Sequence, residues 1–222
     1  MRKISGVVFD MDGLMFDTEA LIQSTWDIVG PRMGYGKMSH NIYNTLGMNA
    51  ARRKQYFQET YGEDFPFETF TDLYRKEYYL YIEEKGVPVK KGLFEALNWM
   101  KKKGLKLALA TGSSEANASA LLKKAGCYEY FDYLVYGSMI SKSKPDPEIF
   151  IKACEGLGIP CEEAAALEDS PNGLRAALQG GLMTVMIPDL IKDAGEMEKQ
   201  IHGKLNSLLE VPEFFEKNTI MI

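Results

Sequence analysis

Asp10-Met11-Asp12-Gly13 sets two carboxylates two residues apart, directly after the apolar run Val7-Val8-Phe9. At the end of a strand, residues i and i+2 face the same side, and Gly13 permits a sharp exit, so both carboxylates can look into one pocket. The same four residues would serve equally as an acidic turn, since Asp and Gly are common turn formers. Three other segments bring complementary chemistry. Ala110-Thr111-Gly112-Ser113-Ser114 offers a hydroxyl and backbone N–H groups ahead of an amphipathic stretch, either an anion site or an ordinary helix N-cap. Lys142-Ser143-Lys144-Pro145-Asp146-Pro147 puts lysines before a rigid segment that opens a helix, where one ammonium could be held towards a pocket. Leu167-Glu168-Asp169 places adjacent carboxylates after another apolar run. Carboxylates gathered at one place repel each other unless a cation neutralises them, and an all-oxygen donor set with open positions suits Mg²⁺. Carboxylates, a lysine and a helix N-terminus together describe a site for a phosphoryl group bridged by magnesium.

The elements that must position these groups are legible as short apolar runs at residues 4–9, 105–110, 133–136, 164–167 and 183–187, each read as a buried strand. Amphipathic stretches of helical length lie at 93–103, 116–124, 147–156 and 172–179. Strand alternating with helix predicts an α/β fold with a doubly wound parallel sheet. In such sheets ligands bind beyond the carboxyl ends of the strands, where Asp10, Thr111 and the pair Glu168 and Asp169 all stand. The distance from the first run to the second exceeds what one crossover helix needs. Between them, residues 18–85 carry helical periodicity, as in Phe70, Leu73, Tyr74, Glu77, Tyr78, Tyr81 and Ile82. Residues 13–18 and Lys85-Gly86-Val87-Pro88 supply the Gly and Pro expected of two linkers. The sequence therefore predicts a catalytic core in residues 1–17 and 86–222 and a small inserted helical cap in residues 18–85.

Composition excludes several partners. The chain has 222 residues, 45% of them hydrophobic and 26% charged, the balance of a soluble globular protein. A net charge of −5 without a basic stripe argues against nucleic acid, and the N-terminal apolar run is too short for a membrane span or signal peptide. Cys127, Cys154 and Cys161 are odd in number and irregular in spacing, which predicts reduced thiols and a cytoplasmic location. The apolar C-terminal residues 219–222 are expected to pack or fray. His40 and His202 have no motif around them, and the oligomeric state is left open.

Phe9-Asp10-Met11-Asp12-Gly13, with Thr111, Lys144 and Glu168-Asp169 in that order, resembles the four motifs of the haloacid dehalogenase-like hydrolase superfamily, in its branch with a small helical cap. The resemblance spans the chain and implies a Rossmann-like core. It further implies a Mg²⁺-dependent phosphatase acting on a small phosphomonoester, such as a sugar phosphate, through an aspartyl-phosphate. By the same resemblance Asp10 is the nucleophile and Asp12 the general acid and base, while Thr111, Gly112, Ser113 and Lys144 bind the phosphoryl oxygens. The metal falls to the Asp10 carboxylate, the Asp12 backbone carbonyl and Asp169, with Glu168 either a direct ligand or one step removed. Thr18, Glu19, Gly47 and Asn49 are the implied substrate contacts in the linker and cap, although the turn at Leu46-Gly47-Met48-Asn49 also reads as a plain helix connection.

Asp12 sets the chain apart from the dehalogenases of the superfamily, which need no proton for a leaving oxygen. Thr18 and Trp26 resemble the β-phosphoglucomutase pattern, but Ile22 stands where that enzyme carries a hinge histidine, and Ala50 near its cap arginine. Arg52 and Arg53 are read as solvated helix charges. A mutase must hold a second phosphate and restrain hydrolysis, so these departures favour a phosphatase with the mutase as the alternative. A receiver-like phospho-aspartate module shares the acid, hydroxyl and lysine. It lacks a reason for the insertion and for a second carboxylate at Asp12.

Overall fold

A computed structural model describes residues 1–45 and 50–221, which divide into two compact units, Met1–Phe16 with Val89–Ile222, and Asp17–Pro88. In the first unit, strands β1 (Arg2–Ile4), β2 (Gly6–Phe9), β3 (Lys106–Ala110), β4 (Tyr133–Val135), β5 (Ala164–Glu168), β6 (Met183–Met186), β7 (Gly203–Lys204) and β8 (Thr219–Met221) are formed. Six of them make one wholly parallel sheet in the order β4-β3-β2-β5-β6-β7. The chain runs outward from β2 to one side and then from β5 to the other, so the strand order reverses between β2 and β5. That crevice is the ligand position of a doubly wound sheet. Every residue of β2, β5 and β6 is buried, as expected of strands covered on both faces by crossover helices.

The crossovers of this unit include helices at Leu93–Lys102, Glu115–Ala125, Glu148–Leu157 and Pro171–Gln179. Ile149, Phe150, Ala153 and Leu157 of the third, with Ala176 and Ala177 of the fourth, pack on Val8, Ala108, Ala110 and Ala166 of the sheet. Small sheet residues let the helices approach closely, and burying a side chain such as Phe150 contributes about 1.5–3 kcal/mol.

Two features depart from the sequence reading. The run at residues 4–9 is not one strand: it breaks at Ser5, and β1 leaves the main sheet to pair in parallel with β8, Arg2 opposite Thr219. Ser5 still holds the seam, donating its N–H to Glu163 O at 2.9 Å and accepting from Lys106 N at 3.0 Å. The C-terminal residues thus pack as a strand. The sixth strand, β7, is only two residues long and carries no apolar pattern, yet it pairs with β6.

The second unit contains helices α1 (Thr18–Arg32), α2 (Ile42–Thr45), α3 (Ala50–Tyr61) and α4 (Phe67–Lys85). Its two ends are tied by Asp17 N donating to Pro88 O at 2.8 Å. Its core is aromatic: Trp26 meets Phe57 edge-on at 5.3 Å and lies 5.7 Å from Phe70, while Phe57 stacks on Phe65 at 5.3 Å. On α4 the buried stripe is Phe67, Phe70, Tyr74, Tyr78 and Ile82, spaced by three and then by four, whereas Leu73 and Tyr81 point to solvent. Gly47 and Asn49 lie outside the described residues. Among those described, no helix is long and apolar enough to cross a membrane.

Candidate active site

The register of the sheet gathers the motif residues of the first unit. Phe9 of β2 lies opposite Leu167 of β5 and Leu109 of β3, so Asp10 emerges level with Glu168 on one side and Ala110 on the other. Asp10 N still donates to Leu167 O at 3.1 Å, which fixes the first carboxylate at the edge. Lys144 reaches across this edge. Its Nζ stands 2.5 Å from Asp10 Oδ1, 2.7 Å from Glu168 Oε1 and 3.1 Å from Ala110 O. Thus Lys144, the lysine that the motif resemblance favours, is the one that meets the carboxylates, while Lys142 pairs with Asp146 instead.

Glu168 is fully buried, and both of its oxygens are engaged. Oε1 takes Lys144, and Oε2 accepts from Asp169 N at 2.9 Å, Ser170 N at 2.8 Å and Ser170 Oγ at 2.9 Å. Ser170 Oγ also accepts from Gly173 N at 3.1 Å, capping the following helix. The carboxylate therefore knits the strand end to the helix start and leaves Asp169 directed at the pocket.

Asp10, Glu168 and Asp169 each offer an oxygen, and these lie within 4.8 Å of one another. Burial pushes the Asp10 carboxyl up from 3.8 to about 7, with Lys144 pulling it down and Glu168 adding to the rise. Burial likewise holds Asp169 well above the ordinary carboxylate range, and Glu168, Asp10 and Asp189 add to the effect. For Lys144, burial alone would lower the ammonium, but Asp10 and Glu168 outweigh it and raise it. Two buried carboxylates on one ammonium, with the partly buried Asp169 beside them, carry excess negative charge, and oxygen donors at this spacing fit a hard divalent cation. Gly13 makes room for it: at φ +86°, a Cβ there would stand 2.3 Å from Asp169 Oδ2.

Asp12, two residues beyond Asp10, accepts from Ser113 Oγ at 2.9 Å. Thr111 is buried, donates its N–H to Val135 O at 3.1 Å, and accepts from Ser113 N at 3.0 Å through its hydroxyl. Ser113 thus commits one donor to Thr111 in its own loop and the other to Asp12 in the loop after β2, while Gly112 is exposed with open space where a Cβ would be. The helix behind them is capped by Ser114, whose Oγ accepts from Asn117 N. Thr18 and Glu19 form the first turn of α1 in the other unit, Thr18 buried and Glu19 partly so, with Ile22 half-buried a turn later.

One residue of the edge escaped the sequence reading. Asp189 follows β6 by three positions, is buried, and pairs through Oδ1 with Lys90 Nζ at 2.5 Å. The rule that found Asp10, Thr111 and Asp169, a polar residue able to do chemistry just after an apolar strand, applies to Ile187-Pro188-Asp189 as well.

A family model described as haloacid dehalogenase-like hydrolase matches residues 4–181. The "Phosphorylated carbohydrates phosphatase" of Thermotoga maritima is 30% identical over 179 residues, 81% of this chain and 82% of that protein. "Protein CbbY" of Cereibacter sphaeroides is 29% identical over 197 residues, 83% of this chain and 84% of its own. Among solved structures, a mutant of CbbY from Rhodobacter sphaeroides in complex with xylulose-(1,5)bisphosphate superimposes with a TM-score of 0.76 at 26% identity, over 93% of this chain and 96% of that one. The strand-end carboxylates, the lysine between them and these matches agree: the chain belongs to the haloacid dehalogenase-like hydrolase family, in its phosphatase and phosphoglucomutase-like branch, and is a phosphohydrolase enzyme.

Proposed function

We propose that this enzyme is a Mg²⁺-dependent phosphatase that hydrolyses a small phosphomonoester, of the sugar phosphate class, through an aspartyl-phosphate on Asp10. The observation that carries the reading is Lys144 Nζ at 2.5 Å from Asp10 Oδ1 and 2.7 Å from Glu168 Oε1, beside Asp169. A nucleophilic carboxylate can approach a charged phosphate only where cations offset the repulsion. The names of two relatives, a phosphatase of phosphorylated carbohydrates and a protein solved with a pentulose bisphosphate, support the sugar phosphate class.

In this reading Mg²⁺ would be held by the Asp10 carboxylate, the Asp12 backbone carbonyl and Asp169, with Glu168 anchoring Lys144 behind them. When bound, it would supply positive charge that offsets the negative charge of the phosphoryl oxygens. Asp10 attacks phosphorus while the bond to the leaving oxygen breaks, and Asp12 gives that oxygen its proton. Asp12 then takes a proton from water as the water oxygen attacks phosphorus, the acyl phosphate bond breaks, and Asp10 is regenerated. Thr111, the Gly112 and Ser113 N–H groups and Lys144 hold the phosphoryl oxygens, and Ser113 N–H must exchange its bond to Thr111 for one to substrate. In this reading the helical segment 18–85 is the cap whose role is to exclude water, and Thr18, Glu19, Gly47 and Asn49 are its proposed substrate contacts.

A panel of sugar, polyol and nucleoside phosphates, assayed for free phosphate with and without Mg²⁺, tests this. Release that survives chelation overturns it. Glucose 1-phosphate in the same panel, followed for glucose 6-phosphate, distinguishes a mutase, and one stoichiometric phosphorylation without release would mark a receiver-like switch.

A further inference from the structure

Asp189 has a buried oxygen with nothing to bond. The residue is 6% exposed, its Oδ1 takes Lys90, and its Oδ2 has no hydrogen-bond partner among the described residues. A buried acceptor left without a donor is costly, so the fold around it has to supply one or receive one. The neighbours supply none. The point where a Cβ on Gly13 would stand lies 3.2 Å from Asp189 Oδ2 and 2.3 Å from Asp169 Oδ2, so the two oxygens face one small space. Once Asp169 holds a cation it is ionised and only accepts. The Gly13 N–H is already donated to Phe16 O at 2.9 Å. Asp189 is also outside the group of Asp10, Glu168 and Asp169 whose oxygens fall within 4.8 Å of one another, which sets it beyond direct contact with an ion held by those three.

We propose that Asp189 positions the cation of this site through water: Oδ2 accepts a hydrogen bond from a water molecule on the Mg²⁺ held by Asp169, and Lys90 fixes the carboxylate so that this oxygen faces it. The inference rests on the magnesium phosphatase reading above. Water on a divalent cation is a strong donor, which an ionised acceptor at this range suits well. Lys90 has a second consequence. It offsets part of the charge of Asp189, so the acceptor is oriented while adding less to the negative field that an incoming phosphate meets. The pair also ties the segment that begins at Val89 to the loop after β6, and that tie alone is the competing explanation.

Calorimetric titration of Mg²⁺ into the substrate-free enzyme separates the two. The variant K90M/D189N replaces a neutral pair by a neutral pair, so no unpaired charge is buried and the local net charge is unchanged. It is expected to weaken Mg²⁺ about tenfold or more, the usual cost of losing an outer hydrogen-bond partner at a metal site, while D169N abolishes binding. An affinity for K90M/D189N within about twofold of wild type, with only a lower melting midpoint, overturns the role of Asp189 and leaves the proposed function standing. If D169N also binds as wild type, magnesium sits elsewhere and the functional reading falls too. Should the double variant not fold, D189N alone is titrated against the same thresholds.

Discussion

Asp12 Oδ2 accepts a hydrogen bond from Ser113 Oγ at 2.9 Å, which joins the carboxylate proposed as acid and base to the loop proposed to bind phosphate. The hydroxyl holds one rotamer of Asp12, and a hydrogen bond of this kind contributes about 1 kcal/mol. Ser113→Ala should therefore lower kcat several-fold with KM little changed. Asp12→Ala should lower kcat by about 10² to 10⁴. Steady-state kinetics checks both, and a raised KM with intact kcat in Ser113→Ala would instead assign that hydroxyl to the substrate.

Lys144 is the cation that two buried carboxylates share, so its removal acts on stability as well as chemistry. Lys144→Met leaves Asp10 and Glu168 uncompensated, and breaking a buried pair from one side costs about 3 kcal/mol or more. Urea unfolding should show that loss without Mg²⁺ and a smaller one at saturating Mg²⁺, because the ion supplies positive charge at the same carboxylates. Equal losses in both conditions would place the metal away from Asp10.

The main strands and the catalytic edge were legible because apolar runs and the residue following each are local features. Asp10, Thr111, Glu168 and Asp169 needed only the rule that ligands gather where parallel strands end. What stayed hidden depends on partners distant in sequence. Nothing between Ile4 and Gly6 announces that Ser5 divides two strands, because the cause is the pairing of Arg2 with Thr219 at the other end of the chain. Strand β7 exists because His202 N and Leu205 N donate to Thr184 O and Met186 O, at 2.8 Å each, and two residues cannot show a period. In the helical unit, Leu73 and Tyr81 fit the apolar pattern of α4 but fall outside its buried stripe, which is set by where Trp26 and Phe57 stand.

The elevated Asp10 carboxyl makes metal binding depend on pH. Its folded value, about 7, lies above the ordinary 3.8, so between these limits the native state holds the proton more tightly than the unfolded chain does. Stability of the metal-free protein from this group accordingly falls as pH rises through that window. Magnesium needs the Asp10 and Asp169 carboxylates ionised, so its affinity should rise with pH through that window, with proton release. Titrations at several pH values in buffers of different ionisation enthalpy read both quantities, and Asp10→Asn should weaken the dependence. A pH-independent affinity in the wild type would exclude Asp10 as a ligand.

Two glycines separate metal binding from folding. At Gly173 a Cβ would stand 1.6 Å from Glu168 Oε1, and Glu168 cannot turn away because Lys144 holds one oxygen and three donors hold the other. Gly173→Ala must shift the start of its helix, and overpacking of this kind costs up to about 3 kcal/mol. At Gly13 the Cβ would meet Asp169 Oδ2 at 2.3 Å, a side chain that can rotate aside, although φ of +86° adds strain of about 1 kcal/mol. Gly13→Ala should therefore keep most of its stability and lose Mg²⁺ affinity, whereas Gly173→Ala should lose stability first. Thermal unfolding and Mg²⁺ titration of the two variants side by side check the contrast. Wild-type Mg²⁺ affinity in a folded Gly13→Ala would mean that the ion does not depend on the position of Asp169.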